Sequence, residues 1–247
     1  LSEVIPLVLE QNGFRDIYSL IKWYKLKNGT GVWGVFWNPN LDDGQGNVDL
    51  QKLDILNIYW QPGITDIQKS PNLYILTLVD DEAMYEMWPQ TKGKIRGDAK
   101  PLEIKTYFSE DTYDLTGKSI LVDCYYKKMV QKENGTWKQV LHLTKYVDSL
   151  KLASTEDDPD VSEVGLYDHG QYPVIFEIMF PEENSPTGFG LIDIAKNPTL
   201  YIDKFDQIIS KNAHIAGKQR IIIKENGKIN EEELADLDRD VIHCAGS

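Results

Sequence analysis

The sequence predicts a mixed α+β fold in which strands are grouped and helices lie toward both ends. Three observations carry this. Near the N-terminus, apolar residues recur at the three- and four-residue spacing of a helix with one buried face. The middle of the chain holds β-rich runs bounded by Asn-Gly, Pro-Gly and Asn-Pro turns. After Gly190 a second helical periodicity begins.

Phe14, Ile17, Tyr18, Ile21 and Tyr24 form the first helical stripe, and Asn28-Gly29 ends it with a left-handed cap. Val32 to Trp37 is a strand closed by Asn38-Pro39, and residues 40–47 (NLDDGQGN) are turn-forming throughout. Asp54 to Trp60 reads as a second strand, apolar on both faces, and Leu73 to Val79 as a third. Asp80-Asp81-Glu82 starts a short helix through Trp88, its acidic first turn matched to the helix dipole. Residues 90–118 are polar and turn-rich and read as a mobile loop. Ser119 to Val130 and Thr136 to Tyr146 form a hairpin around Glu133-Asn134-Gly135. The acidic stretch 154–165 reads as a loop, and Tyr172 to Phe180 as a strand closed by Pro181. Residues 185–190 (SPTGFG) are a linker into a helix running to about Ala213, with Asn197-Pro198 as a second start signal. Arg220 to Ile223 is a strand, Asn226-Gly227 a turn, and a helix starts at Asn230. No internal repeat is visible.

At 247 residues the chain is one large domain or two small ones, and 41% hydrophobic residues supply an ample core. That excludes a mostly disordered chain. With 26 basic and 39 acidic residues the net charge is −13, so bulk electrostatics do not grip phosphates. No apolar run approaches the roughly 20 residues of a membrane-spanning helix. Cys124 and Cys244 make neither a disulfide framework nor a zinc quartet, and a reducing cytoplasm is the expected compartment. The chain starts Leu1-Ser2-Glu3 and ends Cys244 to Ser247, which reads as a segment of a longer protein.

Gly29-Thr30-Gly31-Val32-Trp33-Gly34 spells G-x-G-x-x-G, but a dinucleotide fingerprint needs a strand before and a helix after. Here the order is reversed, so a structural turn is expected. Residues 42–49 (DDGQGNVD) are off the register of a calcium-binding EF-hand loop. Asp236, Asp238 and Asp240 follow Glu231, Glu232 and Glu233 and read as a solvated helix face. His142, His169, His214 and His243 are scattered, with no H-E-x-x-H and no nucleophile elbow. Asn28 and Asn134 open glycosylation sequons by letter and read as turns. The expectation is no catalytic, cofactor-binding or metal-ligating residue.

The order of segments carries more. Lys22-Trp23-Tyr24 leads through Gly29-Thr30-Gly31 into Val32-Trp33-Gly34-Val35-Phe36-Trp37. Asp54 to Trp60 is followed by Pro62 and Asp66-Ile67-Gln68. Leu73-Tyr74-Ile75 and then Met84 to Pro89 come next. Most specifically, Tyr172-Pro173-Val174-Ile175 passes through Pro181 to Gly190 into a long helix. This pattern resembles the middle portion of tailed-bacteriophage portal proteins, the ring-shaped head-to-tail connectors.

The resemblance implies a wing-like α+β domain over residues 1–185, a stem-like helix over 186–213, and the start of a clip-like region over 214–247. The second stem helix and the crown are missing, so these residues alone are expected to be monomeric or weakly associated. In the portal family the full-length protein forms a homo-oligomeric ring at one capsid vertex. DNA is packaged and ejected through the ring without sequence-specific binding. Its implied partners are further copies of itself, the terminase large subunit, a head-tail adaptor and the capsid protein, with no cofactor, no enzymatic activity and no membrane. Its implied location is the virion, after assembly in the bacterial cytoplasm. Along the stem, Ile202, Phe205 and Ile209 share a face and are expected to pack on a neighbouring element. Asp203, Asp206 and Lys211 lie off it, and with Lys218 and Arg220 are the residues expected near the tunnel or the DNA. Two rival readings remain: a metal- or nucleotide-dependent enzyme using the glycine turn or the aspartate cluster, and a generic adaptor or carbohydrate-facing module using Trp33, Trp37, Trp60 and Trp137.

Overall fold

The computed structural model describes residues 4–95, 116–131, 135–217 and 232. It divides into two units, Leu1–Ala195 and Lys196–Ser247. The fold is mixed α+β, with four helices and three antiparallel sheets among the described residues.

The first unit opens with α1 (Val4–Gln11), which the sequence reading did not single out, and α2 (Phe14–Asn28). Gly29 takes φ +86° and donates its N–H to the Lys25 carbonyl, as the predicted left-handed cap requires. Three strands form the first sheet: β2 (Asn47–Leu53) and β8 (Val174–Ile178) flank β1 (Thr30–Asn38). Helix α2 lies on one face of it. Ile21 is fully buried, the Phe14 ring meets Trp33 at 5.3 Å, Lys52 sits 3.9 Å from the Tyr24 ring, and Lys25 reaches Glu177 at 3.5 Å.

The other face of that sheet, carrying Val32, Phe36, Leu53 and Val174, packs on a five-stranded meander. Its strands lie in sequence order: β3 (Ile58–Trp60), β4 (Asn72–Asp80), β5 (Lys118–Gln131), β6 (Trp137–Val147) and β7 (Leu150–Ser154). Alternation places Leu73, Ile75, Tyr125 and Leu141 on the shared face, where they form the main core. Farther along the same face, Leu121 and Val147 pack with Met84 of the short helix α3 (Asp81–Met87) and with Ile95. The sheet thus has two coverings on one face. Between them lies a cleft of about 500 Å³ whose walls include Trp37, Asp49, Trp88 and Tyr167. Asp123 and Lys145 line it as an ion pair, at 2.7 and 2.8 Å.

Several expectations are corrected here. Asp54 to Trp60 is not one strand. The Asp54 carboxylate accepts the Leu56 N–H at 3.0 Å and winds Ile55–Asn57 into a helical turn, leaving only Ile58–Trp60 to pair. Strands β2 and β7 were not read from the sequence. The first (NVDLQKL) is mostly polar, and its conformation comes from its register with β1. The linker 185–190 contains β10 (Gly188–Phe189), which pairs with β9 (Phe180–Pro181) and stacks Phe189 on Phe180. The loop expected over 90–118 is packed where it begins, with Thr91 and Ile95 buried, and its last residue starts β5; residues 96–115 lie outside the described residues. The hairpin stands, with Gln131 opposite Trp137. The strand and turn placed after residue 217, and the helix start at Asn230 apart from Glu232, fall outside the described residues.

Candidate functional site

Two contacts fix the end of the first unit from which the long C-terminal helix leaves. The first joins residues far apart in sequence. Asp66 caps a helical turn, Ile67 is buried, and the Gln68 side chain reads the backbone beside β8. Its amide donates to the carbonyls of Tyr172 at 3.1 Å and Val174 at 3.4 Å, and its carbonyl accepts the Tyr172 N–H at 2.8 Å. The Tyr172 hydroxyl donates to the Ser70 carbonyl at 2.7 Å, and Lys127 donates to the Gln68 carbonyl while lying 4.5 Å from the Tyr172 ring. Gln68 thereby occupies polar backbone groups at a sheet edge that would otherwise be open to pairing. Asn12 does the same on the opposite edge, donating to Val48 at 3.0 Å and accepting from Leu50 at 3.0 Å.

The second contact is a junction of glycines. A Cβ on Gly29 would collide with the Gly188 carbonyl, and one on Gly190 would sit 2.6 to 2.8 Å from Lys27 O, Leu26 O and Gly29 N. Thr30, buried, accepts the Gly188 N–H at 3.0 Å, and Met179 donates to the Gly29 carbonyl at 2.8 Å. The G-x-G-x-x-G run therefore connects α2 to β1. The space a side chain would take at Gly31 and Gly34 is filled by Ile21 and Phe36. Its glycines are required by close backbone approach.

From this junction runs α4 (Leu191–Gly217), 27 residues, or about 40 Å of helix. The Asp193 carboxylate accepts the Gly190 N–H at 2.9 Å, half of a capping box. Pro198, read with Asn197 as a second start signal, lies inside α4. The helix continues through it although proline offers no N–H to the Ile194 carbonyl one turn back.

Periodicity sorts α4 into two faces. Ile194, Tyr201, Ile202, Phe205, Ile208 and Ile209 form an apolar stripe, and Lys196, Asp203, Gln207, Ser210 and His214 mark the opposite polar face. Asp206 and Lys211 flank the polar face. Asp203, Asp206 and Lys211 are exposed. The expectation that Ile202, Phe205 and Ile209 pack on a neighbouring element is corrected: they are 59%, 61% and 63% exposed, and α4 has no buried residue. Spacing determines that these side chains share a stripe; it does not supply a covering surface. Lys218 and Arg220 lie outside the described residues.

Among the described residues, no three His, Cys, Asp or Glu side chains gather as metal ligands, and no helix is long and apolar enough to cross a membrane. The acidic turn at 42–47 is closed by its own side chains, Asn47 donating to Asp42 at 2.7 Å. Sequence reasoning missed the roles of Gln68 and Asn12. Gln68 could have been suspected from its place after a capping Asp and a buried Ile, but its partner lies about 104 residues away. A scan against protein-family models finds no match, and a search of curated proteins finds none either.

Proposed function

We propose that this chain is a segment of a bacteriophage portal protein, a non-enzymatic structural subunit that assembles with copies of itself. The observation that carries the reading is α4: a 27-residue helix with a continuous apolar stripe and no buried residue. Contiguous exposed apolar surface of this kind marks an interaction site, and a stripe on a helix is matched by another helix or the flank of a neighbouring subunit. Two further observations support it. The segments that carry the resemblance to portals are tied together, Gln68 of Asp66-Ile67-Gln68 binding the backbone of Tyr172-Pro173-Val174. The glycines before β1 and before α4 interlock, so the helix starts from a tightly built junction.

In this reading the ring stands at one capsid vertex of the virion, after assembly in the host cytoplasm. DNA passes through it in either direction, and the ring docks the terminase large subunit, a head-tail adaptor and the capsid protein. The net charge of −13 suits the role, because lysine-rich walls would retain phosphates through counterion release and slow the cargo. Asp203, Asp206 and Lys211 would then face the tunnel. Negative-stain microscopy of the full-length protein tests this. Closed rings with a central hole are the expected result, and a uniform field of single subunits contradicts it.

A further inference from the structure

His142 lies in the middle of β6 and is fully buried, although no catalytic or ion-binding role employs it. Its Nδ1 lies 3.1 Å from the Thr155 hydroxyl, which also accepts the Leu143 N–H at 3.0 Å. The Thr155 N–H returns to the Leu143 carbonyl at 3.0 Å, so Thr155 prolongs the β6–β7 ladder by one residue with its main chain and side chain together. Next to this pair, Thr144 and Ser154 share a hydrogen bond of 2.9 Å, and Glu156 meets Lys128 at 2.9 Å. The acidic segment that follows, residues 155–165, is attached to the sheet through these contacts and the Leu166 N–H, which donates to Leu141 at 2.7 Å.

The other imidazole nitrogen has no such partner. Among the described residues, Nε2 is buried and meets no hydrogen-bonding group. Both neutral tautomers leave Nε2 unserved, and the imidazolium adds a buried N–H and a charge with no acceptor. Burying a charge in that condition is costly unless the group moves. The charged and titratable groups around the ring are Tyr126 and Lys128 from β5 and Glu156 from the turn after β7. Tyr126 has its ring centroid 5.6 Å away. Burial holds the imidazole below the usual histidine range against the upward pull of Glu156, and Lys128 adds a smaller downward push.

We infer that His142 and Thr155 form an acid-sensitive clasp that holds the acidic segment 155–165 on the β5–β6 hairpin, and that protonation of His142 releases it. The sign follows from linkage. With its folded pKa depressed, neutral His142 favours the closed state fully above the ordinary histidine pKa. That contribution is lost as pH falls below it, because the open state takes up the proton first. The charged ring moves out toward the Glu156 carboxylate, the Thr155 hydroxyl loses its imidazole partner, and the ladder frays from its β7 end. This inference does not depend on the portal reading.

Hydrogen exchange on the full 247-residue chain tests it. After correction for intrinsic rates, amides of residues 150–166 should exchange faster near pH 5.5 than near pH 7.5, by up to about tenfold, the ceiling set by a freed histidine titrating near 6.5. Amides of Leu73 and Tyr125 should show no such change. In His142→Phe the acid response should vanish, and His142→Gln serves the same comparison if the aromatic variant does not fold. Equal protection of 150–166 at both pH values in the wild type overturns the inference. So does an undiminished acid response in the variants, or an NMR titration that puts the His142 ring at or above the ordinary histidine value.

Discussion

The sheets of the first unit and the helix α4 use apolar residues in opposite ways. In the sheets, alternation sends Leu73, Ile75, Tyr125 and Leu141 to one face, and a second sheet closes over them. Along α4, a spacing of three and four sends Ile202, Phe205 and Ile209 to one face, and all three are more than half exposed. Periodicity is equally clear in both. What differs is burial: the sheet residues are covered by a second sheet, whereas the α4 residues are exposed among the described residues, which in the proposed reading suits an assembly contact. Burial thus separates residues that hold the fold from exposed apolar residues that are candidates for an interaction.

The sharpest way to break this contrast is a pair of truncations. Leu73→Ala, at a fully buried site, should cost about 2–5 kcal/mol in urea unfolding, whereas Phe205→Ala should stay within about 0.5 kcal/mol. A large loss at Phe205 would mean that α4 is covered within the chain. The next largest effect concerns the proline inside α4. Replacing Pro198 by Ala removes a mid-helix penalty of about 3 kcal/mol, so helicity by circular dichroism should rise or melt later. Gln68→Ala should cost roughly 1–3 kcal/mol, because it strips partners from the Tyr172 N–H and from carbonyls at the β8 edge. Its measurable sign is a lower urea midpoint with an unchanged slope. Smallest of all, Asp203→Lys with Asp206→Lys should leave the fold within about 0.5 kcal/mol, both sites being exposed, while slowing DNA passage in the full-length ring.

The sequence was most legible where a local signal decides the outcome. Asn28-Gly29 predicted its cap, the Leu73 to Val79 strand stands within β4, and the acidic start of α3 falls at Asp81. It was least legible where a distant partner decides. Strand β2 is polar by letter and becomes a strand only by pairing with β1. The Asp54 side chain turned an apolar run into a helical turn, a competition that apolar spacing cannot register. Pro198 reads as a helix start because proline favours that position, yet the helix runs on through it. The candidate surface was half legible. The stripe of Ile202, Phe205 and Ile209 was visible as spacing, but the exposure of its side chains among the described residues was not. Gln68 carries only the hint of its place after a capping Asp and a buried Ile, and His142 carries none, since their partners are set by the topology of the sheets.

If the α4 stripe serves assembly and not folding, as proposed, its removal should abolish rings and leave the subunit intact. Negative-stain microscopy of the full-length protein carrying Phe205→Asp with Ile209→Asp, beside the wild type, reads this out. Rings with a central hole are expected in the wild type. In the variant, dispersed subunits are expected whose thermal unfolding matches that of wild-type subunits before assembly. Rings that persist in the variant, or a wild type that forms none, would contradict the proposal.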